Sequence, residues 1–295
     1  MPRFLCNGSR LSYYSRLYSA KFMTPSLVVL TDFFAVSNRA LSYAAGLAVP
    51  LQAQLVLLHV RHDELLAPHT FAGRHSRQGE HTTAHALQQL AQEQSVLTEV
   101  DISEEALPIA LQQSIRRHNP LLVVVGRSGA AGAAEDLVVR TAMNLLRHTP
   151  FPLLVVPAVG WDAFPPRRLL LAVDGHPFNL FEHQDVVSRL LFATRASLDV
   201  VVVTEDGEAA PDAAAVLETV RHNDLGDALT EGQVHTVYHQ AVGGGVLQEA
   251  ARQEADLLVV VTRHHSVLGR LFHRSVTAEL IQASPIPVLL LPAED

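Results

Sequence analysis

The chain has 295 residues, enough for two domains of ordinary size, and 48% apolar with 18% charged residues is typical of a globular protein. Its 22 basic and 30 acidic residues give a formal net charge of −8, which disfavours binding to nucleic acid but leaves room for a local anion site. No stretch approaches the roughly 20 consecutive apolar residues of a membrane helix, so we expect a soluble protein.

Two residue counts exclude further classes of chemistry. Cys6 is the only cysteine, which excludes an internal disulfide and a cysteine-based zinc site and fits a reducing cytoplasm. Lys21 is the only lysine. The body of the chain therefore has no lysine for a Walker-type phosphate loop or a Schiff base.

The first 22 residues differ from the rest of the chain. They are rich in arginine and serine, contain no acidic residue and lack the apolar run of a secretion signal. Met23 stands directly before the first strand pattern. We expect residues 1–22 to be an extension outside the folded body, either a misassigned start or a segment similar to a transit peptide.

From residue 23 onward, short apolar runs alternate with segments of helix length, which is typical of parallel strands covered by helices on both faces. The first part predicts strands at 27–31, 54–60, 96–100, 121–125 and 153–156, and helices near 36–49, 81–93, 104–118 and 139–148. A linker is predicted at 158–166, which holds the only tryptophan and a Pro-Pro pair.

The second part repeats this order. It predicts strands at 169–173, 198–203, 234–238, 257–261 and 288–291, and helices near 180–195, 212–222, 245–254 and 275–283. We therefore predict two tandem α/β domains, 23–157 and 167–295, each with a doubly wound, Rossmann-like parallel sheet of five strands.

An internal repeat supports the duplication. Residues 121–127 (LLVVVGR) match residues 257–263 (LLVVVTR) at a separation of 136 positions, and residues 150–157 match 285–292 at 135. These separations predict that the second copy is one residue shorter between the two blocks.

In doubly wound sheets, ligands bind beyond the carboxyl ends of the strands, where the strand order reverses. Asp32 and Asp174 follow the first strand of each copy. Such an acid can accept a hydrogen bond from an adenine amino or ribose hydroxyl group, or it can simply cap a helix. The loop at 126–132 (GRSGAAG) follows the fourth strand, and its glycines either admit a phosphate to the backbone N–H groups or form a permissive turn.

Together, the strand-one aspartate, the G-x-x-G loop and the closing P-x-P strand resemble the universal stress protein family over nearly the whole body. The resemblance implies an adenine nucleotide alpha hydrolase-like fold with strand order 3-2-1-4-5 in each copy and the last strands near a pseudo-dimer interface. It also implies a cytoplasmic stress-response module that acts by binding rather than turnover.

The resemblance implies a candidate ATP site in the first copy. In nucleotide-binding members, G-x-x-G, nine residues and then G-[S/T] hold the phosphates, with the strand-one aspartate near the adenine. The matching segment of this chain comprises Thr31, Asp32, Gly126, Arg127, Ser128 and Gly129. Val139 and Arg140, however, replace the second glycine and the hydroxyl residue. Half of the phosphate site is missing.

The second copy departs differently. Asp174 is present, but residues 262–265 (TRHH) replace G-x-H-G, so that only His264 agrees. Further on, Ser275 matches the family's hydroxyl position, while Arg274 replaces its glycine, and we expect the arginine side chain to fill space that a triphosphate needs. The cationic segment 263–274 is either a site for a smaller anion, a solvated loop or a dimer contact.

Three functions remain open. In the first, the first copy binds adenine nucleotide weakly while the second serves association or anion sensing. In the second, neither copy binds nucleotide and the protein is an interaction module. In the third, the protein is an enzyme that cleaves or transfers phosphoryl or adenylyl groups, a chemistry for which no set of Mg²⁺ ligands stands out in the sequence. We expect no enzyme, and a homodimer is possible.

Other patterns are discounted. Residues 243–245 (GGG) follow the third strand of the second copy and predict a tight turn rather than a dinucleotide loop. His81 and His85 would share a helical face with Glu80 nearby, but no third ligand is evident, so no metal is expected. No order of residues typical of a Ser-His-Asp hydrolase occurs.

Overall fold

The computed structural model describes residues 24–31, 35–61, 77–127, 133–159, 164–205, 209–226, 229, 231–263 and 274–294. The N-terminal extension predicted at 1–22 lies outside these residues. No helix in the described ranges is long and apolar enough to cross a bilayer.

Strands and helices alternate along the described chain, as the sequence predicts. The strands are β1 (Ser26–Leu30), β2 (Gln54–Val60), β3 (Thr98–Ser103), β4 (Leu122–Arg127), β5 (Leu153–Pro157), β6 (Arg168–Val173), β7 (Ser197–Thr204), β8 (Val234–Tyr238), β9 (Leu257–Arg263) and β10 (Val288–Ala293). The α-helices are α1 (Ala35–Leu51), α2 (Arg77–Gln92), α3 (Leu107–His118), α4 (Ala133–His148), α5 (Gln184–Thr194), α6 (Ala213–His222), α7 (Val242–Arg252) and α8 (Arg274–Ala283).

The strand order confirms the α/β fold class. The order is β3-β2-β1-β4-β5 in the first half and β8-β7-β6-β9-β10 in the second, which is 3-2-1-4-5 in both. Neighbours within each half are parallel. The described strands form one continuous sheet rather than two separate ones, because β5 and β10 pair antiparallel.

This antiparallel junction decides where the candidate sites lie. The strands of the second half run opposite to those of the first, so their carboxyl ends point to the opposite edge of the sheet. Each helix that precedes a fifth strand runs back from the carboxyl edge of its own half. Helix α8 therefore begins at the candidate site of the second half and ends at the edge that carries the candidate site of the first.

The strands are apolar because both faces of the sheet are covered. Along β1 and β6, alternate residues belong to two core clusters, one on each face. One cluster includes side chains of α1, α5 and α6, and the other includes side chains of α3, α4, α7 and α8. Burial on both faces explains why the strands read as continuous apolar runs in the sequence.

The structure corrects the alignment of the two halves at the fourth strand. The backbone N–H of Val123 donates to the carbonyl of Pro152, and that of Leu258 donates to the carbonyl of Pro287. The two donors, Val123 and Leu258, are 135 positions apart, and so are the two acceptors, Pro152 and Pro287. The first residues of β4 and β9 are also 135 positions apart, and they face the same core cluster. The predicted one-residue deletion between the fourth and fifth strands is therefore wrong.

This shift of one residue changes the comparison of the loops. Arg127 corresponds to Thr262, not to Arg263, and the residue after it, Ser128, corresponds to Arg263. The first glycine of the G-x-x-G loop, Gly126, corresponds to the buried Val261. The predicted agreement at His264 is lost, because the third loop position belongs to Arg263.

The end of the linker packs on the first half. The Phe164 ring meets the Tyr43 ring edge to face, with centroids 5.3 Å apart, and lies where a Cβ on Gly46 would be. The chain then enters the second half, where Oδ2 of Asp256 accepts hydrogen bonds from the backbone N–H groups of Arg167 at 2.8 Å and Arg168 at 3.0 Å. Trp161 lies outside the described residues.

Several element boundaries differ from the prediction, and three of these differences are informative. Strand β3 runs over 98–103 rather than 96–100, because its half-exposed residues lack a clear apolar pattern. Helix α4 begins at Ala133, six residues before the predicted start. The Gly243–Gly245 segment does not form the predicted tight turn: it lies in the first turn of α7, where a Cβ on Gly245 would be 2.8 Å from Val203. The glycines thus allow α7 to approach β7 closely.

Candidate functional site

The first half places its candidate residues at one edge of the sheet. Gly126 and Arg127 end β4 and pair with Val156 and Pro157 of β5. Thr31 follows the neighbouring strand β1 and is buried. Its backbone N–H donates to the carbonyl of Leu58 at 3.0 Å. Thr31 and Gly126 therefore stand at adjacent strand ends, while the predicted site residues Asp32, Ser128 and Gly129 lie outside the described residues.

Thr31 is also held by the strand on its other side. Nδ1 of His59, on β2, donates to the Thr31 carbonyl at 3.0 Å. The backbone that leads into Asp32 is thus bonded to β2 through both its N–H and its carbonyl. This fixes the direction in which the chain leaves β1.

In the second half, the strand-one aspartate is already engaged. Oδ1 of Asp174 accepts a hydrogen bond from Nη2 of Arg263 at 3.0 Å and one from the backbone N–H of His176 at 3.0 Å. The same Nη2 donates to the His176 carbonyl at 2.9 Å. The side chains of Arg263 and Asp174 are only 6% and 2% exposed. The carboxylate that could meet an adenine is therefore neutralised by its own chain.

The backbone beside Asp174 closes the pocket further. Gly175 has a φ of +81°, which turns the chain so that His176 reaches back to Asp174. A Cβ on Gly175 would stand 2.5 Å from Cγ of Pro211. Among the described residues, Oδ2 of Asp174 has no hydrogen-bond partner, although it is buried. The end of β6 is thus a packed corner rather than an open cleft.

Of the remaining predicted site residues of the second half, the structure describes only the backbone of two. Arg274 and Ser275 begin α8, consistent with a position at a helix N-terminus, but their side chains lie outside the described set. His264 also lies outside the described residues.

In the first half, the side chain of Arg127 points to the other half of the molecule. Its Nη2 donates to the backbone carbonyl of Ser284 at 2.5 Å, and its Nη1 donates to that of Gln282. These carbonyls lie at the C-terminal end of α8, which carries partial negative charge. The second loop position thus connects the two halves.

Sequence reasoning missed the role of Arg263 in the site. The residue was visible, but the repeat aligned it with Arg127 rather than with Ser128. The correct register is not readable from LLVVV, because both faces of the strand are equally apolar. Nothing in the sequence indicated His176 or Pro211. His176 acts through its backbone N–H, which any residue but proline supplies, and Pro211 acts through the volume of its ring beside Gly175.

Histidine clusters do not form a metal site in the described ranges. His235 has Nε2 at 3.5 Å from Oδ1 of Asp199 and Nδ1 at 3.6 Å from Oε1 of Glu249. The two ring nitrogens face carboxylates on opposite sides, so one ion could not bridge all three groups. No cluster of three potential metal ligands occurs among the described residues. The side chains of Glu80 and His81 lie outside them.

With this geometry in hand, comparison with known proteins identifies the family. The sequence matches the Universal stress protein family over residues 23–157 and 167–292. The chain belongs to this family. A search of curated protein sequences finds no significant match.

Solved structures agree at the level of the fold. A universal stress protein from Archaeoglobus fulgidus DSM 4304 is similar with a TM-score of 0.61 at 16% identity, over 92% of this chain and 99% of that one. The functionally unknown protein PA1789 from Pseudomonas aeruginosa PAO1 gives 0.56 at 15% identity, over 91% and 92%. A putative universal stress protein from Pseudomonas aeruginosa UCBPP-PA14 gives 0.55 at 16% identity, over 92% and 94%.

Proposed function

We propose that this universal stress protein is a non-catalytic stress-response module of the cytoplasm, in which only the first half binds adenine nucleotide. The observation that carries the proposal is the buried pair of Arg263 and Asp174, together with the corrected register. At the position of Arg263, the first half has Ser128, whose neutral hydroxyl cannot form an ion pair with Asp32. The strand-one acid of the first half therefore lacks this internal competitor.

Two further features support nucleotide binding in the first half. Gly126 is the last residue but one of β4 and lies beside the end of β1, and Gly129 follows three residues later, so that both glycines of the loop are retained in the sequence. The N–H groups of such a loop can approach a phosphate closely. The binding should be weak, because Val139 packs against the core cluster at a position where the family has glycine.

Isothermal titration with ATP tests the proposal. We expect one ATP per chain for the wild type, and loss of binding in Asp32→Ala and in Ser128→Arg, which transplants the ion pair of the second half. The matched control is Arg263→Ser, which should retain the site of the first half. Absence of heat with the wild type, or unchanged binding in Ser128→Arg, would contradict the proposal.

A second candidate is an interaction module without nucleotide binding. It is favoured by the replacement of the second glycine and the hydroxyl residue by Val139 and Arg140, of which Arg140 is exposed on α4. The same titration separates the two functions. A phosphate- and AMP-release assay on ATP would reveal turnover if the chain were instead an enzyme, and we expect none above a Ser128→Arg background.

A further inference from the structure

The sheet has two outer strands in the part of the chain that the structure describes. Strand β3 lies at one end of the strand order and β8 at the other, so that each pairs with a neighbouring strand on one side only. An outer strand presents a row of backbone N–H and C=O groups that can pair with another chain. The two outer strands differ in what they offer to such a partner.

The pairing of β8 with β7 shows which of its backbone groups face outward. The N–H of His239, directly after β8, donates to the carbonyl of Thr204 on β7 at 3.1 Å, and Tyr238 stands opposite Thr204. Along a parallel strand, alternate residues bond to the neighbouring strand. Val234, Thr236 and Tyr238 therefore direct their N–H and C=O groups away from the sheet.

The side chains of these three outward residues lie on one face of β8, the face covered by α6, and are uncharged. Val234 packs against the core cluster on that face, whereas Thr236 is exposed and Tyr238 is 58% exposed. Outer strands are commonly protected by a charged residue, a proline or a bulge. The outward positions of β8 carry neither charge nor proline, and its pairing with β7 is continuous.

The outward residues of β8 are complementary to a second copy of the same strand. When two β8 strands pair antiparallel about a twofold axis at Thr236, this residue meets its own counterpart, and Val234 meets Tyr238 of the other copy. All three outward residues then exchange backbone hydrogen bonds. Threonine beside threonine and a β-branched residue beside an aromatic ring are favourable cross-strand pairs. Such an interface is isologous and closes at two copies.

The molecule already joins two units by this kind of pairing. Strands β5 and β10 connect the two halves antiparallel, with residues 153–155 opposite residues 288–290. The five residues of β8 provide a run at least as long.

The other outer strand, β3, opposes a second copy. The N–H of Leu55 donates to the carbonyl of Leu97, so by the same alternation Val100 is an outward residue of β3. Pairing two β3 strands about Val100 would place Glu99 of each copy opposite Asp101 of the other. Like charges on directly opposed residues are destabilising. Of the two outer strands, β8 is therefore the one that accepts its own copy.

We propose that β8 is a homodimerisation strand, through which two copies of this chain join their sheets by antiparallel pairing of Val234–Tyr238. The dimer places the first halves of the two chains at opposite ends of one sheet. This interface does not depend on the proposed nucleotide binding, because β8 lies at the end of the strand order away from the first half. Dimerisation and ATP binding can therefore succeed or fail separately.

Sedimentation velocity of the full chain over a wide range of concentration tests the dimer. The wild type should pass from monomer to dimer, with no larger species. Thr236→Lys sets two ammonium groups against each other at the axis and should weaken dimerisation at least about tenfold. Thr236→Pro removes an outward N–H while leaving the bonds to β7 in place, and it should also be monomeric. The matched control is Thr98→Lys, at an outward position of β3, which should dimerise as the wild type does.

Cross-linking provides a second measurement, and circular dichroism checks that each variant is folded. In a Cys6→Ser background, Thr236→Cys brings two cysteines to directly opposed positions, where Cα atoms about 5.5 Å apart permit a disulfide. Oxidation with copper phenanthroline should link two copies in this variant but not in Thr98→Cys. The proposal would be overturned by a wild type that stays monomeric, by Thr236→Lys dimerising as well as the wild type, or by polymers that grow with concentration through pairing of β8 with β3.

Discussion

The two halves of the molecule end their first strands alike and then diverge. In the first half Asp32 is followed by Phe33, and in the second Asp174 is followed by Gly175. Gly175 turns the chain back so that His176 and Arg263 both bind the Asp174 carboxylate. In the second half, an internal ion pair therefore occupies the position where the resemblance predicted an acid free to meet a nucleotide.

The ion pair itself gives the largest expected effect. Arg263→Met would leave the buried Asp174 carboxylate without its cation, and we expect the free energy of unfolding to fall by about 3–5 kcal/mol. Urea denaturation followed by circular dichroism measures the change. The double variant Arg263→Met with Asp174→Asn removes both charges and should recover most of the loss. Equal stability of the single and double variants would show that the loss does not come from the unpaired Asp174 carboxylate.

The turn beside the pair should give the next largest effect. In Gly175→Ala, the new Cβ would overlap Pro211 and the positive φ would be strained, which together cost roughly 2–4 kcal/mol of unfolding free energy. Adding Pro211→Gly removes both atoms of the overlap, Cγ at 2.5 Å and Cβ at 2.8 Å, but not the strain of the positive φ, so it should restore only part of the stability. Full stability of Gly175→Ala alone would mean that the corner is looser than the structure shows.

The fold was predictable from the sequence because strand and helix periods are repeated twice, and both the element order and the family resemblance agreed. The site was less predictable. That Arg263 is the residue that engages Asp174 depended on a register that LLVVV and LLVVVT leave open. The contact of Arg127 with the carbonyls of Gln282 and Ser284 depended on antiparallel pairing of β5 with β10. Pairing between strands so far apart in the sequence cannot be derived from local patterns.

A smaller effect concerns Phe164 at the end of the linker, which packs on Tyr43 and Gly46 of the first half. Phe164→Ala removes the ring from Tyr43 and Gly46, and since Phe164 is 38% exposed we expect a loss of about 1–2 kcal/mol. Denaturation by urea would measure it. As a control, Phe192→Ala removes a ring that is 77% exposed and should change stability by less than about 0.5 kcal/mol. Similar losses in both variants would contradict a packed linker.

The smallest effect tests the contact between Phe164 and Tyr43 through the pH dependence of stability. Burial, aided by the nearby carboxylate of Asp256, raises the pKa of Tyr43 above its ordinary value of 10.0. The folded chain keeps the Tyr43 proton at a pH where the unfolded chain has released it, so this group makes stability fall as pH rises above 10.0, by at most about 1.4 kcal/mol per pH unit. Urea denaturation at about pH 9, 10 and 11 should therefore show a shallower decline for Tyr43→Phe than for the wild type. Tyr238 is 58% exposed, and Tyr238→Phe should follow the wild-type curve. Parallel curves for the wild type and Tyr43→Phe would mean that Tyr43 ionises as easily in the folded chain as in the unfolded one, and that water reaches the Tyr43 hydroxyl beneath Phe164.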